Sequence, residues 1–294
     1  MRKFLIKLTL SFLLVSINIQ SQQIGSCKKA KETNRIVSVG GSVTEILYLL
    51  NSQNKIIAVD VTSTYPEETK TKKSVGYIRA LSSEGILSTQ PSLIISEDDI
   101  GPRTVVDQIV KSKVDIRIIK EVQNLEGIVD KFICISKIIG KYDKAKKIME
   151  TKINPLISQI NSKKKKIILK DKKIMLILSM QGTSPVIAGN NTSGHSYIEM
   201  IGAKNVYESV NGWKTVTAES IIKMNPDYII LPNKEMHKNS DVKAITENKI
   251  FSKTNAGKNK AFIIDDGMAI LGFGPRTIDS VLKSIIFIEK SIEE

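Results

Sequence analysis

Tyr77 and Arg79 stand two residues apart in Val75-Gly76-Tyr77-Ile78-Arg79-Ala80-Leu81-Ser82-Ser83-Glu84-Gly85-Ile86-Leu87. A loop tyrosine ordinarily packs its ring and wets its hydroxyl; when ionised it is also a hard oxygen donor. A free phenol ionises near pH 10, so a metal and a nearby cation must favour the charged form. A guanidinium two residues away supplies that charge, or grips a carboxylate as a planar fork donor. The chain has two histidines. His195 falls at a helix start in Asn191-Thr192-Ser193-Gly194-His195, where such a side chain is more often solvated than a ligand. His237 lies in a polar loop and is the weaker candidate. With two histidines, no HExxH and no nucleophile elbow, the residues assemble no hydrolytic triad, and an enzyme reading is set aside.

Two glutamates share a setting. Glu84 stands seven residues before Pro91, and Ser92-Leu93-Ile94-Ile95 follows. Glu219 stands seven residues before Pro226, and Asp227-Tyr228-Ile229-Ile230 follows. Ser82 and Thr217 lie two residues ahead of the two glutamates. Each copy reads as short helix, proline stop, buried strand. The copies lie 135 residues apart, far beyond a solenoid period. They predict two similar lobes, each with one exposed Glu at a helix start. A carboxylate there is favoured by the helix dipole whatever else it does. Tyr77 precedes the first copy only, so the lobes share a scaffold but not a chemistry.

Elements alternate around these residues. Strands are expected at 35–39, 55–60, 92–96 and 114–119, with helices from Ser42 to Leu50 and from Gly101-Pro102 to Lys111. Ser42 is a candidate cap with Glu45 three residues on. The Gly40-Gly41 turn carries no GxGxxG or phosphate-loop pattern. From about Asn124 the apolar spacing turns helical: Ile128, Phe132, Ile135, Ile138 and Ile139, then Tyr142, Ala145, Ile148 and Met149. This predicts one long connecting helix, or two joined ones, with Gly140 tolerated inside and a kink or restart at Pro155. A second run of strands at 174–178, 184–188, 228–231 and 261–264 alternates with helices from Thr192, Glu219 and Pro275. The expected fold class is α/β: two Rossmann-like lobes with mainly parallel sheets, at 34–123 and 173–294, joined by a long α-helix at 124–161.

A chain of 294 residues is long enough for two such lobes. The formal charge is +14, and +11 without Arg2, Lys3 and Lys7. Its lysines are scattered or in short solvated runs such as Lys163 to Lys166, without interleaved aromatics, so nucleic acid is not the expected partner. Residues 1–21 read as a removable export signal, with Arg2 and Lys3 ahead of the apolar stretch Phe4 to Ile19. Ile24-Gly25-Ser26-Cys27 offers the alternative of a lipobox ending at a lipidated Cys27. Outside the cytoplasm a disulfide to Cys134 is allowed. Cys134, in a helical apolar pattern, reads instead as a buried small hydrophobe.

Over residues 34–290 the chain resembles the periplasmic or lipoprotein substrate-binding components of ABC importers, in the subgroup with a rigid helix between two α/β lobes. That subgroup handles cobalamin, iron siderophores and haem. The segment from Gly76 to Gly85 and Leu271-Gly272-Phe273-Gly274-Pro275-Arg276-Thr277 resemble its haem-binding members. The resemblance implies that Tyr77 ligates haem iron and that Arg79 supports the phenolate or pairs with a propionate. It places His195 as a candidate second ligand, and Met268 either against the porphyrin face or in the core. Arg276 either serves the ligand or pairs internally, and Trp213 and Tyr207 are candidate cleft residues. Glu84 and Glu219 are expected to dock on arginines of the permease, and through it to engage the ATPase. Haem is thus the expected cargo, with a siderophore or cobalamin as the alternative, in a periplasmic or extracytoplasmic location with a possible lipid anchor at Cys27.

Overall fold

The computed structural model describes residues 25–166, 169–181, 184–233 and 245–293. The export signal expected at 1–21 and His237 lie outside the described residues. Contacts divide the chain into two compact units. The first takes the described residues up to Glu121 together with Asp130–Ala145; the second takes Val122–Val129 and the residues from Lys146 onward.

In the first unit, β1 (Ile36–Val39), β2 (Ile56–Val59), β3 (Lys73–Ser74), β6 (Leu93–Glu97) and β7 (Asp115–Ile119) form one parallel sheet in the order β3-β2-β1-β6-β7. Its central strands IVSV and LIISE are apolar almost throughout, as a sheet covered on both faces requires. Between the strands run α1 (Gly41–Leu49), α2 (Ser83–Leu87) and α3 (Arg103–Lys111). A small antiparallel hairpin, β4 (Gly76–Tyr77) with β5 (Ala80–Leu81), stands beside the sheet. Val37, Val39, Ile86, Ile94 and Ile109 form the centre of this unit's core.

Ser42 does not cap α1. The helix starts one residue earlier, Gly40 occupies the cap position, and no side-chain cap bond forms there. The Ser42 hydroxyl is drawn instead into a buried polar cluster described below.

The helical stretch is two segments. α4 (Leu125–Ile138) ends at Gly140, whose φ of 69° is left-handed. Lys141 N–H donates to Ser136 O at 2.7 Å and Gly140 N–H to Lys137 O at 3.1 Å, the paired closure of a Schellman end. Gly140 therefore stops the helix rather than sitting inside it, because only glycine takes this conformation at no steric cost. The chain restarts as α5 (Tyr142–Ile148), passes through a π-helical turn at Met149–Ile153, and continues as α6 (Asn154–Lys166). The π turn ends two residues before Pro155, which has no N–H to give to the preceding turn.

The second unit is built on β8 (Lys173–Gln181). Its sheet runs β11 (Trp213–Thr215), β9 (Ser184–Ala188), β8, β12 (Tyr228–Pro232), β13 (Phe262–Asp265), with β10 (Lys204–Asn205) also pairing with β8. β10, β8, β12 and β13 are parallel, whereas β9 and β11 are antiparallel additions. The helices of this unit are α7 (Ser193–Ile201), α8 (Ala218–Met224), α9 (Asn255–Lys258), α10 (Gly267–Leu271) and α11 (Pro275–Glu293). Ile177, Ile187, Ile221, Ile229 and Phe251 centre its core.

The two units repeat one structural cassette in detail. Ser82 caps α2 by accepting from Gly85 N–H, and Thr217 caps α8 by accepting from Ser220 N–H. Glu84 and Glu219 are the second residue of each helix and both are exposed. Ile86 and Ile221, two residues further on, are wholly buried. Gln90 and Asn225 then both turn left-handed, at φ 52° and 44°, immediately before the proline. After it, Ser92 and Asp227 make the same reciprocal clamp. Ser92 N–H donates to Arg35 O and its hydroxyl accepts from Arg35 N–H; Asp227 N–H donates to Lys173 O and its carboxylate accepts from Lys173 N–H. Helix, stop and strand are thereby locked to the entry of the central strand in each unit.

Candidate ligand site

The hairpin that carries Tyr77 is anchored by every third residue. Val75, Ile78 and Leu81 are buried in the core of the first unit, so Tyr77 and Arg79 are turned outward. Tyr77 is 42% exposed. Backbone bonds hold the hairpin on both sides. Val61 N–H donates to Gly76 O, Gly101 N–H to Ile78 O, and Leu81 N–H to Gly101 O, all at 2.9–3.0 Å. Arg79 Nε donates to Asp99 Oδ2 at 2.9 Å. Burial works against the Arg79 charge, but the Asp99 hydrogen bond and charge outweigh it, with a contribution from Tyr77, and the guanidinium pKa is raised. The arginine is thus a permanent cation held beside the phenol by a partner on the next loop. Because both members are exposed, that pair orients Arg79 more than it stabilises the fold. Val61 and Tyr65 add two further exposed apolar side chains after β2. Neither was singled out from the sequence, where each reads as an ordinary loop residue; an aromatic directly before Pro66 was the available signal.

At the carboxyl end of β6 a fully buried ammonium, Lys131, meets two carboxylates, Glu97 and Glu121, whose side chains are 15% and 17% exposed. Lys131, wholly buried, donates to Ser42 Oγ at 2.7 Å and to Glu121, and its Nζ lies 3.9 Å from Glu97. Glu97 also accepts from the Ser42 hydroxyl and backbone N–H. Asp98 and Asp99 face the same region; the Asp98 carboxylate accepts from Glu121 N–H. One ammonium cannot neutralise two carboxylates that are both largely withdrawn from water. Burial first, and then the Glu121 charge, raise the Glu97 pKa to about 7 against the opposing pull of Lys131 and Ser42. Glu121 is raised as well, chiefly by burial. An acid whose pKa is higher folded than unfolded binds its proton more tightly in the native state. Its stabilising contribution is full below pH 4.5 and is lost as pH rises through about 7. Glu97→Gln should therefore flatten the pH dependence. Between pH 5 and 8 the wild type should lose about 1–3 kcal/mol that the variant keeps, read as converging or crossing melting curves. Parallel curves for the two proteins across that range would contradict this account of the cluster.

In the second unit, Thr192 caps α7 by accepting from His195 N–H. Gly194 permits the close approach of that helix to the sheet: a Cβ there would fall 2.6 Å from Ala188 Cβ and 2.9 Å from Trp213 Cη2. The His195 ring is 15% exposed. Its Nδ1 lies 3.2 Å from Asn205 Nδ2 and its Nε2 3.6 Å from Glu199 Oε1. Asn205 also donates to Ala188 O, so the Asn205–His195 contact is pinned to β9. Met268 is half-buried on α10. Arg276 Nη1 pairs with Asp266 Oδ1 at 3.0 Å, and the same carboxylate caps α10 by accepting from Ala269 N–H. This realises the internal pairing open for Arg276. Trp213 and Tyr207 are half-buried, Tyr207 against the core.

The site residues thus fall into separate groups: Tyr77, Arg79 and Asp99 on one unit; Met268 and Arg276 beside Asp266, and His195 between Asn205 and Glu199, on the other. A concavity of about 750 Å³ in the second unit is lined by Lys172, Asp227, Asn259, Lys260 and Lys290, among others, at the amino ends of its strands. It contains none of these candidates.

The hairpin thus presents a phenol and a cation beside the parallel sheet of the first unit. Comparison with known proteins gives the family. Residues 36–268 match the family described as periplasmic binding protein, and the chain belongs to that family. It is an ABC-importer substrate-binding protein and not an enzyme. It is 26% identical over 269 residues, 91% of this chain and 83% of the other, to the uncharacterized ABC transporter substrate-binding lipoprotein YvrC of Bacillus subtilis. It is 22% identical to the vitamin B12-binding protein of Pectobacterium atrosepticum, over 67% of this chain and 71% of that one. Among solved structures it is similar to the periplasmic heme-binding protein HutB of Vibrio cholerae, with 29% identity and a TM-score of 0.73, covering 87% of this chain and 99% of that one.

Proposed function

We propose that this protein is an extracytoplasmic haem-binding protein that delivers haem to the permease of an ABC importer, in the service of iron acquisition. The observation that carries the reading is Tyr77: a phenol 42% exposed at the carboxyl end of a parallel sheet, on a hairpin whose neighbouring residues are buried, with Arg79 beside it. Exposure of an aromatic on so firmly anchored a hairpin has no packing rationale. The described residues contain no cluster of three or more His, Cys, Asp and Glu side chains that could hold a bare metal ion. Iron at Tyr77 would therefore bring its other donors with it, as it does in a porphyrin. Val61 and Tyr65 extend an apolar surface suited to a flat ligand. Arg79, held at Nε by Asp99, can turn the rest of its guanidinium to the phenolate or to a propionate, and HutB, similar across 99% of its length, is named for haem. Glu84 and Glu219 are the proposed contacts to permease arginines, one on each copy of the cassette.

The vitamin B12-binding relative supports a second reading, in which the cargo is cobalamin or a ferric siderophore and Tyr77 is a wall residue. Equilibrium dialysis against haemin, cyanocobalamin and a ferric siderophore separates the two. Retention of haemin alone is the expected outcome, and retention of cobalamin or siderophore in preference would replace haem as the cargo.

His195 is proposed as a contact to a second haem or a second axial ligand. To bind iron through Nε2 it would have to leave its 3.6 Å contact with the exposed Glu199 carboxylate. If it does so, haemin titration shows a second equivalent or low-spin character that His195→Ala removes. Identical stoichiometry and spectra in the variant would leave His195 as a residue of the protein surface, engaged only with Asn205 and Glu199.

A further inference from the structure

The segment 26–30 is a fixed part of the first unit, and its chemistry decides between the two fates open to Cys27. Three independent contacts hold it. Cys27 is disulfide-bonded to Cys134 on α4, with Cα atoms 4.8 Å apart. Arg117, 2% exposed, donates through Nη1 to Ser26 O at 2.8 Å and to Lys28 O at 3.1 Å, while Asp115 holds its other face through Nε and Nη2. Ala30 N–H donates to Ile138 O at 2.9 Å, satisfying a carbonyl at the end of α4 that has no partner within the helix. Ala30 itself is 4% exposed.

We propose that Cys27 is a structural half-cystine and not a lipid-attachment site, so that the mature protein is held to no membrane through this residue and keeps Ser26. Two facts carry this. Lipidation forms a thioether at Sγ by displacing the headgroup from a glycerolipid, and that sulfur is already bonded to Cys134. Cleavage at a lipobox would also fall between Ser26 and Cys27 and remove the Ser26 carbonyl. Buried Arg117 would then lose one of its two backbone acceptors, which a desolvated guanidinium tolerates poorly. The disulfide forms as the two thiols give up two protons and two electrons to the disulfide of a protein thiol oxidoreductase, which is left as its dithiol. In this respect the chain departs from its Bacillus relative, whose name calls it a lipoprotein.

The test is made on the full chain, expressed with its own leader in a Gram-negative host that can both lipidate and oxidise exported proteins. Denatured without reductant, the purified protein should take up no alkylating agent; after reduction it should take up two equivalents, matching its two cysteines. A proteolytic fragment linking Cys27 to Cys134 should appear, with an amino terminus at or before Ser26, and the protein should fractionate with soluble envelope proteins. Cys27→Ser should leave that fractionation unchanged. A diacylglyceryl group on Cys27 with a free Cys134 thiol, two free thiols in the unreduced protein, or release from the membrane only in Cys27→Ser would each overturn the proposal.

Discussion

Tyr77→Phe is expected to abolish the charge-transfer bands of the haemin adduct and to weaken haemin binding by on the order of 100-fold or more. The substitution keeps the ring and removes the donor oxygen. Losing a partner that merely orients a ligand typically costs about 10–100-fold in metal affinity, so losing the ligand itself should cost at least the upper end. The fold is not at risk. Tyr77 is among the exposed large hydrophobics, while Val75, Ile78 and Leu81 carry the hairpin's packing. Melting temperature should therefore stay level while the spectrum changes. Arg79→Ala provides the graded companion, weakening binding less and leaving an iron–oxygen spectrum in place. Unchanged bands and affinity in Tyr77→Phe would remove Tyr77 from the coordination sphere.

Reversing both cassette glutamates is expected to stop delivery without touching the cargo. With Glu84→Lys and Glu219→Lys together, haemin binding should remain at wild-type strength, while uptake into vesicles carrying the cognate transporter falls by about tenfold or more. Each single reversal should cost about twofold to fivefold. A lone exposed ion pair is worth about 0–1 kcal/mol, so one contact cannot account for docking. Two reversals convert two weak attractions into two like-charge juxtapositions, each costing about 0.5–1 kcal/mol while exposed and screened, which together reach about tenfold. The structural cost is small, since both side chains are exposed and each helix keeps its hydroxyl cap at Ser82 or Thr217. Normal uptake by the double variant would return both residues to the role of favourable charges at a helix start.

The cassette shows how far one-dimensional reasoning reached. Spacing alone located Ser82, Glu84 and Pro91 against Thr217, Glu219 and Pro226, because caps, prolines and apolar runs act locally. Spacing could not reveal the left-handed Gln90, since glutamine has no preference for that conformation; the following clamp and strand impose it. Nor could it reveal that Ser92 and Asp227, different residues, make one and the same clamp. Gly140 was legible as glycine but not as a helix end, because the apolar period resumes on both sides of it.

Long-range chemistry was the least legible. Ser42 has the sequence setting of a helix cap, and only the approach of Lys131 and Glu97, 89 and 55 residues away, turns its hydroxyl to another use. Cys134 reads as an apolar helix residue and is indeed buried. Its pairing with Cys27, 107 residues distant, is a tertiary fact that overturns that reading. His195 was correctly placed at a helix start. Its engagement with Asn205 and Glu199 depends on a strand that the polar stretch after Gly202 did not announce. Arg276, equally open from sequence, is already paired with Asp266.

The central claim, that Tyr77 binds haem iron through its phenolate, is tested most directly by the absorbance of the purified protein titrated with haemin. The account predicts a saturating spectrum of high-spin ferric haem with tyrosinate charge-transfer bands, reached at a defined stoichiometry. A spectrum indistinguishable from free haemin, or one of low-spin haem with no tyrosinate band, would contradict it.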